Sequence, residues 1–192
     1  MVFVPFKTIL VAIDDAEVSL KALTVAKNLA QTLEAELMIA HVLDSHDSRR
    51  PRLPYTYSTP DAIYLDEEIR QKYDREWTNY VSYYESLLKQ EADEAIAAGI
   101  DADFLLPQGP AGSTLCEIAR TSNVSLMVVG SHQRRGIAES LLGSTSNYIT
   151  HHAPCSVLVV YAHGQVEEFS TKSEERGRAQ DISMAKPSRG IA

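Results

Sequence analysis

Residues 125–161 read SLMVVGSHQRRGIAESLLGSTSNYITHHAPCSVLVVY, and this stretch decides the fold. It holds two short apolar runs, Leu126–Val129 and Ser156–Val160, which are rich in Val and Leu and do not alternate with polar residues. Strands that are buried on both faces of a parallel sheet have this composition. One helix, predicted over about Ile137–His152, joins the two runs. The stretch therefore predicts two parallel strands and their crossover helix.

Strand-like runs and helical periodicity alternate five times along the chain. The predicted strands are Lys7–Ile13, Glu36–Leu43, Ala102–Leu106, Leu126–Val129 and Ser156–Val160. The predicted helices are Glu17–Leu33, one from near Asp66 to Gly99, one from Pro110 or Ala111 to Thr121, and Ile137–His152. Such alternation of short strands and crossover helices predicts an α/β fold with a parallel sheet and right-handed connections.

Length and charge restrict the class of protein. A chain of 192 residues that is 44% hydrophobic has enough apolar residues for one domain with a full core. No apolar run approaches the about 20 residues that cross a bilayer, and Met1–Phe6 is too short for a secretory signal. The net charge of −8 argues against nucleic acid or an anionic membrane as the main partner. Cys116 and Cys155 lack metal-ligand spacing, so we expect reduced core cysteines in a cytoplasmic protein.

Two segments do not fit the alternation. Asp44–Leu65 is rich in proline, arginine and tyrosine, and we expect a long loop that leaves the sheet beside the ligand edge. Because the loop carries Arg49, Arg50 and Arg52, it is a candidate lid over a bound ligand, with a partner-binding or disordered insert as the alternative. Residues 163–192 are polar with balanced charges, which predicts a disordered C-terminal tail.

Glycines and hydroxyl residues flank the connection between the two apolar runs. Gly130 follows the first run directly, and Gly143, Ser144 and Thr145 precede a hydrophilic turn of helix. The carboxyl ends of parallel strands form the ligand-binding edge of open α/β sheets. Exposed backbone N–H groups beside a helix N-terminus attract anions, and small residues let phosphate oxygens approach them. The pattern indicates a phosphate site.

This run resembles the nucleotide motif of the universal stress proteins, G-x2-G-x9-G-[ST]. Gly130 is the first glycine and Gly143 with Ser144 closes the motif, whereas Gln133 stands where the family has its second glycine. The resemblance covers Pro5–Ala162, and it implies a Rossmann-like open five-stranded parallel sheet with helices on both faces. It implies one domain over 5–162, with 44–65 as an insertion.

The resemblance also implies a site for ATP, with Mg²⁺ on the phosphates. Asp14 would lie near the sugar or the phosphate-bound metal, the backbone of Val42 would meet the adenine edge, and Gly109 with Pro110 resembles a turn that borders adenine. The full set of implied cofactor-binding residues is Asp14, Val42, Gly109, Gly130, His132, Arg134, Arg135, Gly143, Ser144 and Thr145.

Each of these residues also has a purely structural interpretation. Asp14 or Asp15 would serve equally as an N-cap of the first helix, a role that we assign to Asp15. Gly109 and Gly130 suit sharp turns, and the pair Arg134-Arg135 suits a solvated loop as well as a phosphate. We interpret His41 as a strand residue, because no acid or nucleophile in the sequence is placed to work with it.

The leading functional hypothesis is an ATP-binding universal stress protein that acts as a nucleotide-dependent regulatory module in the cytoplasm. The P-loop pattern is absent and no catalytic base is evident, so we expect at most slow hydrolysis, or autophosphorylation on Ser144 or Thr145. The alternative is a nucleotide-free dimeric interaction protein whose phosphate loop is altered at Gln133. The family resemblance implies a homodimer through strand five, residues 156–160, which we expect at the edge of the sheet.

Overall fold

The computed structural model describes residues 6–53, 67–131 and 142–161. Strands and helices alternate in the order β1 (Thr8–Ala12), α1 (Glu17–Leu33), β2 (Glu36–Ala40), α2 (Glu67–Ala97), β3 (Ala102–Leu105), α3 (Ala111–Thr121), β4 (Leu126–Ser131), α4 (Ser144–His152) and β5 (Ser156–Tyr161). No helix in these ranges is long and apolar enough to span a membrane. The predicted tail, 163–192, lies outside the described residues.

The five strands form one parallel sheet in the order β3-β2-β1-β4-β5. This confirms the predicted α/β fold and the edge position of β5. The chain moves outward from β1 to β2 and β3 on one side, and later from β4 to β5 on the other. The strand order therefore reverses between β1 and β4, which is where sheets of this kind open a crevice for ligands.

Two hydrophobic clusters cover the two faces of the sheet. Alternate residues of β1 belong to different clusters: Ile9 and Val11 pack with apolar residues of α1 and α2, and Leu10 packs with residues of α3 and α4. These three central side chains of β1 are fully buried. Helices on both faces explain why the strands carry continuous apolar runs, because neither face meets water.

Several element ends differ from the predictions. Strand β2 stops at Ala40 rather than Leu43, so Val42 lies two residues beyond it. Helix α4 begins at Ser144 rather than near Ile137, since Gly143 is the N-cap and has an extended ψ of 160°. The helical pattern of α4 continues in the sequence before Gly143, which is why periodicity alone placed its start too early.

Gly130 lets α1 approach the end of β4. A Cβ placed on Gly130 would lie 3.1 Å from the carbonyl carbon and oxygen of Val18 and 3.2 Å from the nitrogen of Ser19. These are backbone atoms of the first turn of α1, which cannot move aside as a flexible side chain would. A packing requirement therefore explains this motif glycine, independently of any ligand.

Replacing Gly130 should lower stability through this close approach. We expect Gly130→Ala to cost about 1–3 kcal/mol in free energy of unfolding, measured by urea denaturation. Gly143→Ala is the matched control, because the φ of −58° at Gly143 is open to any residue, and it should stay within about 0.5 kcal/mol of wild type. Equal losses for the two variants would contradict this account of Gly130.

Candidate functional site

Three strands and two helices meet at the carboxyl edge, by which we mean the edge of the sheet where β1, β2 and β4 end. In the strand register Ala12 of β1 lies between Ala40 of β2 and Val129 of β4. The residues that follow, among them Asp14, Val42 and Gly130, therefore share this edge. Helices α1 and α4 run antiparallel to the strands as crossovers, so they begin at the same edge.

Asp14 is fixed against the start of α1. Its Oδ1 accepts a hydrogen bond of 2.9 Å from the N–H of Ala16, and its own N–H donates to Ser19 Oγ at 3.0 Å. Ala16 is the N-cap residue and makes no side-chain capping bond, so the predicted alternative of an aspartate N-cap is wrong for both Asp14 and Asp15. Asp14 stabilises the turn before the cap, and this leaves its carboxylate at the carboxyl edge.

Val42 has a backbone N–H without a protein acceptor in the described part of the chain. Ile13 N–H donates to Ala40 C=O at 2.9 Å, which orients alternate residues of this segment, Ala40 and Val42, toward β1. The carbonyl of Val42 accepts a bond of 2.8 Å from the N–H of Asp44. Val42 is only 7% exposed, and its N–H is therefore an available donor beside the end of β1.

His41 is buried next to Val42 and is 5% exposed. Its Nδ1 lies 2.8 Å from the carbonyl oxygen of Ile13, and its ring stacks on Tyr84 with centroids 3.5 Å apart and planes 8° apart. Because a carbonyl only accepts, Nδ1 carries the proton and Nε2 carries the lone pair. Burial lowers the pKa of His41 against the opposing effects of the Ile13 bond and of nearby carboxylates, so the ring is neutral near pH 7.

Gly109 has a backbone conformation that favours glycine. It has a φ of +152°, and a Cβ there would lie 2.7 Å from Thr114 Oγ1. The turn is fastened to the segment after β2, since Leu43 N–H donates to Pro107 C=O at 2.9 Å and Leu43 bridges to Gln108. This places the Gly109 turn beside Val42, as the family resemblance implies, with a structural reason for the glycine.

The N-termini of α3 and α4 differ in how they are capped. Asp44 Oδ2 accepts a bond of 2.7 Å from the N–H of Ala111, the first residue of α3. Burial alone would raise the pKa of Asp44, but the donated hydrogen bonds of His46 and Ala111 outweigh it, and the net shift is downward. Gly143, the N-cap of α4, has no side chain to cap with. The N–H groups of the first turn of α4 therefore have no partner within the helix and suit an anion.

Asp15 joins α1, α2 and the insertion. It accepts hydrogen bonds from Tyr84 at 2.8 Å and from Tyr83 at 3.3 Å, and it forms an ion pair with Arg49. Burial, and then the bond to Asp15, raise the pKa of Tyr84 well above its usual value. Asp15 was assigned to a helix cap from the sequence; instead it stabilises tertiary contacts.

Asp47 and Arg50 of the insertion contact α2. Tyr80 donates to Asp47 at 2.7 Å, and the guanidinium carbon of Arg50 lies 4.9 Å from the centroid of the Trp77 ring. Tyr80 and Tyr84, on the face of α2 that meets these residues, are buried. Residues 54–66 lie outside the described residues, and a lid over ligand stays a prediction.

The structure thus brings most of the predicted site residues to one edge. Asp14, Val42, Gly109, Gly130 and the start of α4, which holds Gly143, Ser144 and Thr145, all lie there. His132, Arg134, Arg135 and the atypical Gln133 are outside the described residues. The sequence did not single out Ser131, which is fully buried and whose Oγ makes no hydrogen bond among the described residues.

Comparison with known proteins agrees with the motif. A model of the universal stress protein family matches residues 5–161. The chain belongs to this family. It is 32% identical to universal stress protein YxiE of Bacillus subtilis over 159 residues, which are 81% of this chain and 99% of that protein.

Solved structures share the fold. A universal stress protein in complex with cAMP superposes with a TM-score of 0.54 at 24% identity, covering 81% of this chain and 97% of that one. A universal stress protein family protein from Arabidopsis thaliana with AMP bound gives a TM-score of 0.50 at 14% identity, covering 85% and 97%. Both proteins therefore share the fold of this chain, a sheet covered by helices.

The two tyrosines that donate to Asp15 offer a matched test of this network. Tyr84 is 1% exposed and Tyr83 is 51% exposed. We expect Tyr84→Phe to lower the free energy of unfolding by about 1.5–3 kcal/mol, because it removes a buried donor to a carboxylate. Tyr83→Phe should cost less than about 0.5 kcal/mol. Urea denaturation of both variants measures the difference, and similar costs would contradict a central role for Tyr84.

Proposed function

We propose that the protein binds an adenine nucleotide at the carboxyl edge, as ATP with Mg²⁺, and acts as a nucleotide-dependent regulatory module. The observation that carries the proposal is the start of α4. Its first-turn N–H groups follow the closing glycine of the family motif and have no side-chain cap among the described residues, whereas the neighbouring helix α3 is capped by Asp44. Phosphate oxygens suit such donors and the positive end of the helix dipole.

The base and the metal also fit residues at this edge. Val42 offers an N–H to a ring nitrogen, and the Asp14 carboxylate would hold Mg²⁺ together with the phosphates, a common arrangement for this ion. Bound Mg²⁺ would neutralise phosphate charge beside the acidic turn after β1. The relatives bound to cAMP and AMP support the class of ligand, since both ligands contain adenine, ribose and phosphate.

A regulatory role suits the site better than turnover. An efficient hydrolase needs a group that orients water, and the sequence supplies no evident base for it. The described residues contain no cluster of three or more histidine, cysteine or acidic side chains placed to hold a metal by themselves. The competing function, a nucleotide-free interaction protein, is favoured by Gln133 alone.

Calorimetric titration with Mg-ATP tests the proposal. Wild type should bind, and Gly143→Val should lose at least about tenfold in affinity, because its side chain fills the space beside the first turn of α4. The backbone at Gly143 accepts any residue, so the variant should fold normally by circular dichroism. Ser144→Ala is the control: it keeps the backbone donors and should lose only a few-fold. Gln133→Gly restores the family glycine and should bind as well as wild type or better.

The outcomes separate the two functions. A wild type that fails to bind while Gln133→Gly binds would make this chain a nucleotide-free member. Tight binding by Gly143→Val would show that the phosphates lie elsewhere.

We propose further that the protein is a homodimer through β5. This strand is at the edge of the sheet, and its central residues Val157–Val160 are only half-buried in one copy. Antiparallel pairing of two β5 strands about a two-fold axis would bury them and satisfy the unpaired edge.

Charge at the edge strand should break this dimer. Val159→Lys should sediment as a monomer, while Val159→Thr, which keeps the shape of the residue, should remain a dimer. Thermal melts of both variants check that they are folded. A Val159→Lys dimer of unchanged affinity would contradict pairing through β5.

A further inference from the structure

The ladder of backbone hydrogen bonds between β1 and β2 stops before Val42, although the segment after β2 continues alongside the end of β1. Ile13 N–H donates to Ala40 C=O at 2.9 Å, and in a parallel ladder the next bond would run from Val42 N–H to Ile13 C=O. That bond is absent. The carbonyl of Ile13 instead accepts from His41 Nδ1 at 2.8 Å.

The neighbouring backbone groups on the other side of the segment are paired normally. His41 N–H donates to Leu105 C=O at 3.1 Å, and Leu43 N–H donates to Pro107 C=O at 2.9 Å. The segment is thus still held to the β3 side, in register, up to Leu43. Only the bond on the β1 side is interrupted, and the interruption coincides with the imidazole of His41.

The imidazole is held in this position by a second, independent contact. Tyr84 stacks on it with ring centroids 3.5 Å apart, and the hydroxyl of Tyr84 donates to Asp15 at 2.8 Å. His41 therefore lies between the end of β1 and a tyrosine that is itself fixed to the turn after β1. Both contacts hold the ring beside the carbonyl of Ile13.

We infer that His41 is a positioning residue for base recognition: its imidazole, bonded to the carbonyl of Ile13, fills the space through which the N–H of Val42 would approach that carbonyl, and so leaves this N–H available to a ring nitrogen of the bound base. The inference rests on the proposed function. The carbonyl of Val42 is turned back to the N–H of Asp44, so the N–H is the group of this residue that the chain leaves for a ligand. A lone donor selects adenine, whose N1 accepts, over hypoxanthine or guanine, whose N1 carries a proton.

Two substitutions of His41 distinguish the effect of its hydrogen-bond donor from the effect of losing the imidazole ring. His41→Leu removes the donor, which should let Ile13 C=O pair with Val42 N–H. His41→Asn replaces it with an amide N–H₂ at nearly the same distance from the backbone as Nδ1, so it should keep the carbonyl occupied. Both variants lose the imidazole that stacks on Tyr84, so they share that defect and differ in the donor.

The binding readout is the preference for ATP over 1-deaza-ATP, in which the N1 acceptor is a C–H group. Wild type and His41→Asn should prefer ATP by about five- to tenfold, and His41→Leu should bind the two nucleotides within about twofold of each other. Tripolyphosphate affinity should be equal in all three, since the phosphates lie at α4. A full preference in His41→Leu, or its loss in His41→Asn as well, would overturn the role of His41.

A second readout needs no ligand. The exchange of the Val42 amide proton, followed by NMR in the unbound protein, should be slowed at least about tenfold by His41→Leu relative to the Leu43 amide, and not by His41→Asn. If wild type binds no adenine nucleotide, the proposed function fails and this measurement alone decides the role of His41. An unchanged Val42 amide in His41→Leu would overturn it. If wild type binds ATP and 1-deaza-ATP equally, nucleotide binding stands and the contact with Val42 is wrong.

Discussion

The end of strand β1 is the constraint on which the carboxyl edge depends. β1 is hydrogen-bonded on both sides, to β2 and β4, and its central side chains are completely buried, so its position is fixed by the whole sheet. The two residues that follow it then fix their neighbours. Ile13 binds Ala40 with its N–H and His41 with its carbonyl, and Asp14 binds Ala16 and Ser19 at the start of α1. A shift in β1 would move both sides of the crevice together.

Charge is the second constraint at this edge. The chain has a net charge of −8, and four aspartates lie near the ends of β1 and β2: Asp14, Asp15, Asp44 and Asp47. Donors offset part of this charge: Asp15 receives them from Tyr83, Tyr84 and Arg49, Asp44 from Ala111 and His46, Asp47 from Tyr80, and Asp14 from Ala16. A nucleotide phosphate at this edge would meet like charge, which Mg²⁺ on the phosphates would offset. The donors at α4 and the metal would therefore act on the same obstacle.

The sequence predicted the fold well, because buried parallel strands and amphipathic helices leave patterns that local periodicity records. The bounds of α1 were predicted without error, and the glycine motif identified the family. The side-chain contacts at the carboxyl edge were harder to predict from the sequence. The position of His41 depends on which backbone carbonyl its ring reaches and on Tyr84, 43 residues away in the sequence. The cap role predicted for Asp15 was wrong because its partners lie on α2 and in the insertion. Such contacts follow from how helices pack, which no local pattern encodes.

Tyr84 connects the segment after β2 with the turn after β1. Its ring supports His41 and hence the segment that holds Val42, while its hydroxyl supports Asp15, which also pairs with Arg49 of the insertion. The contacts of the insertion with α2 through Asp47 and Arg50 lead to the same helix. Changes in residues 47–50 of the insertion can thus reach the segment that holds Val42 through α2. A lid would have to contact the ligand. The described contacts of the insertion are instead with α2 and Asp15, and they fix its first part to the body of the protein.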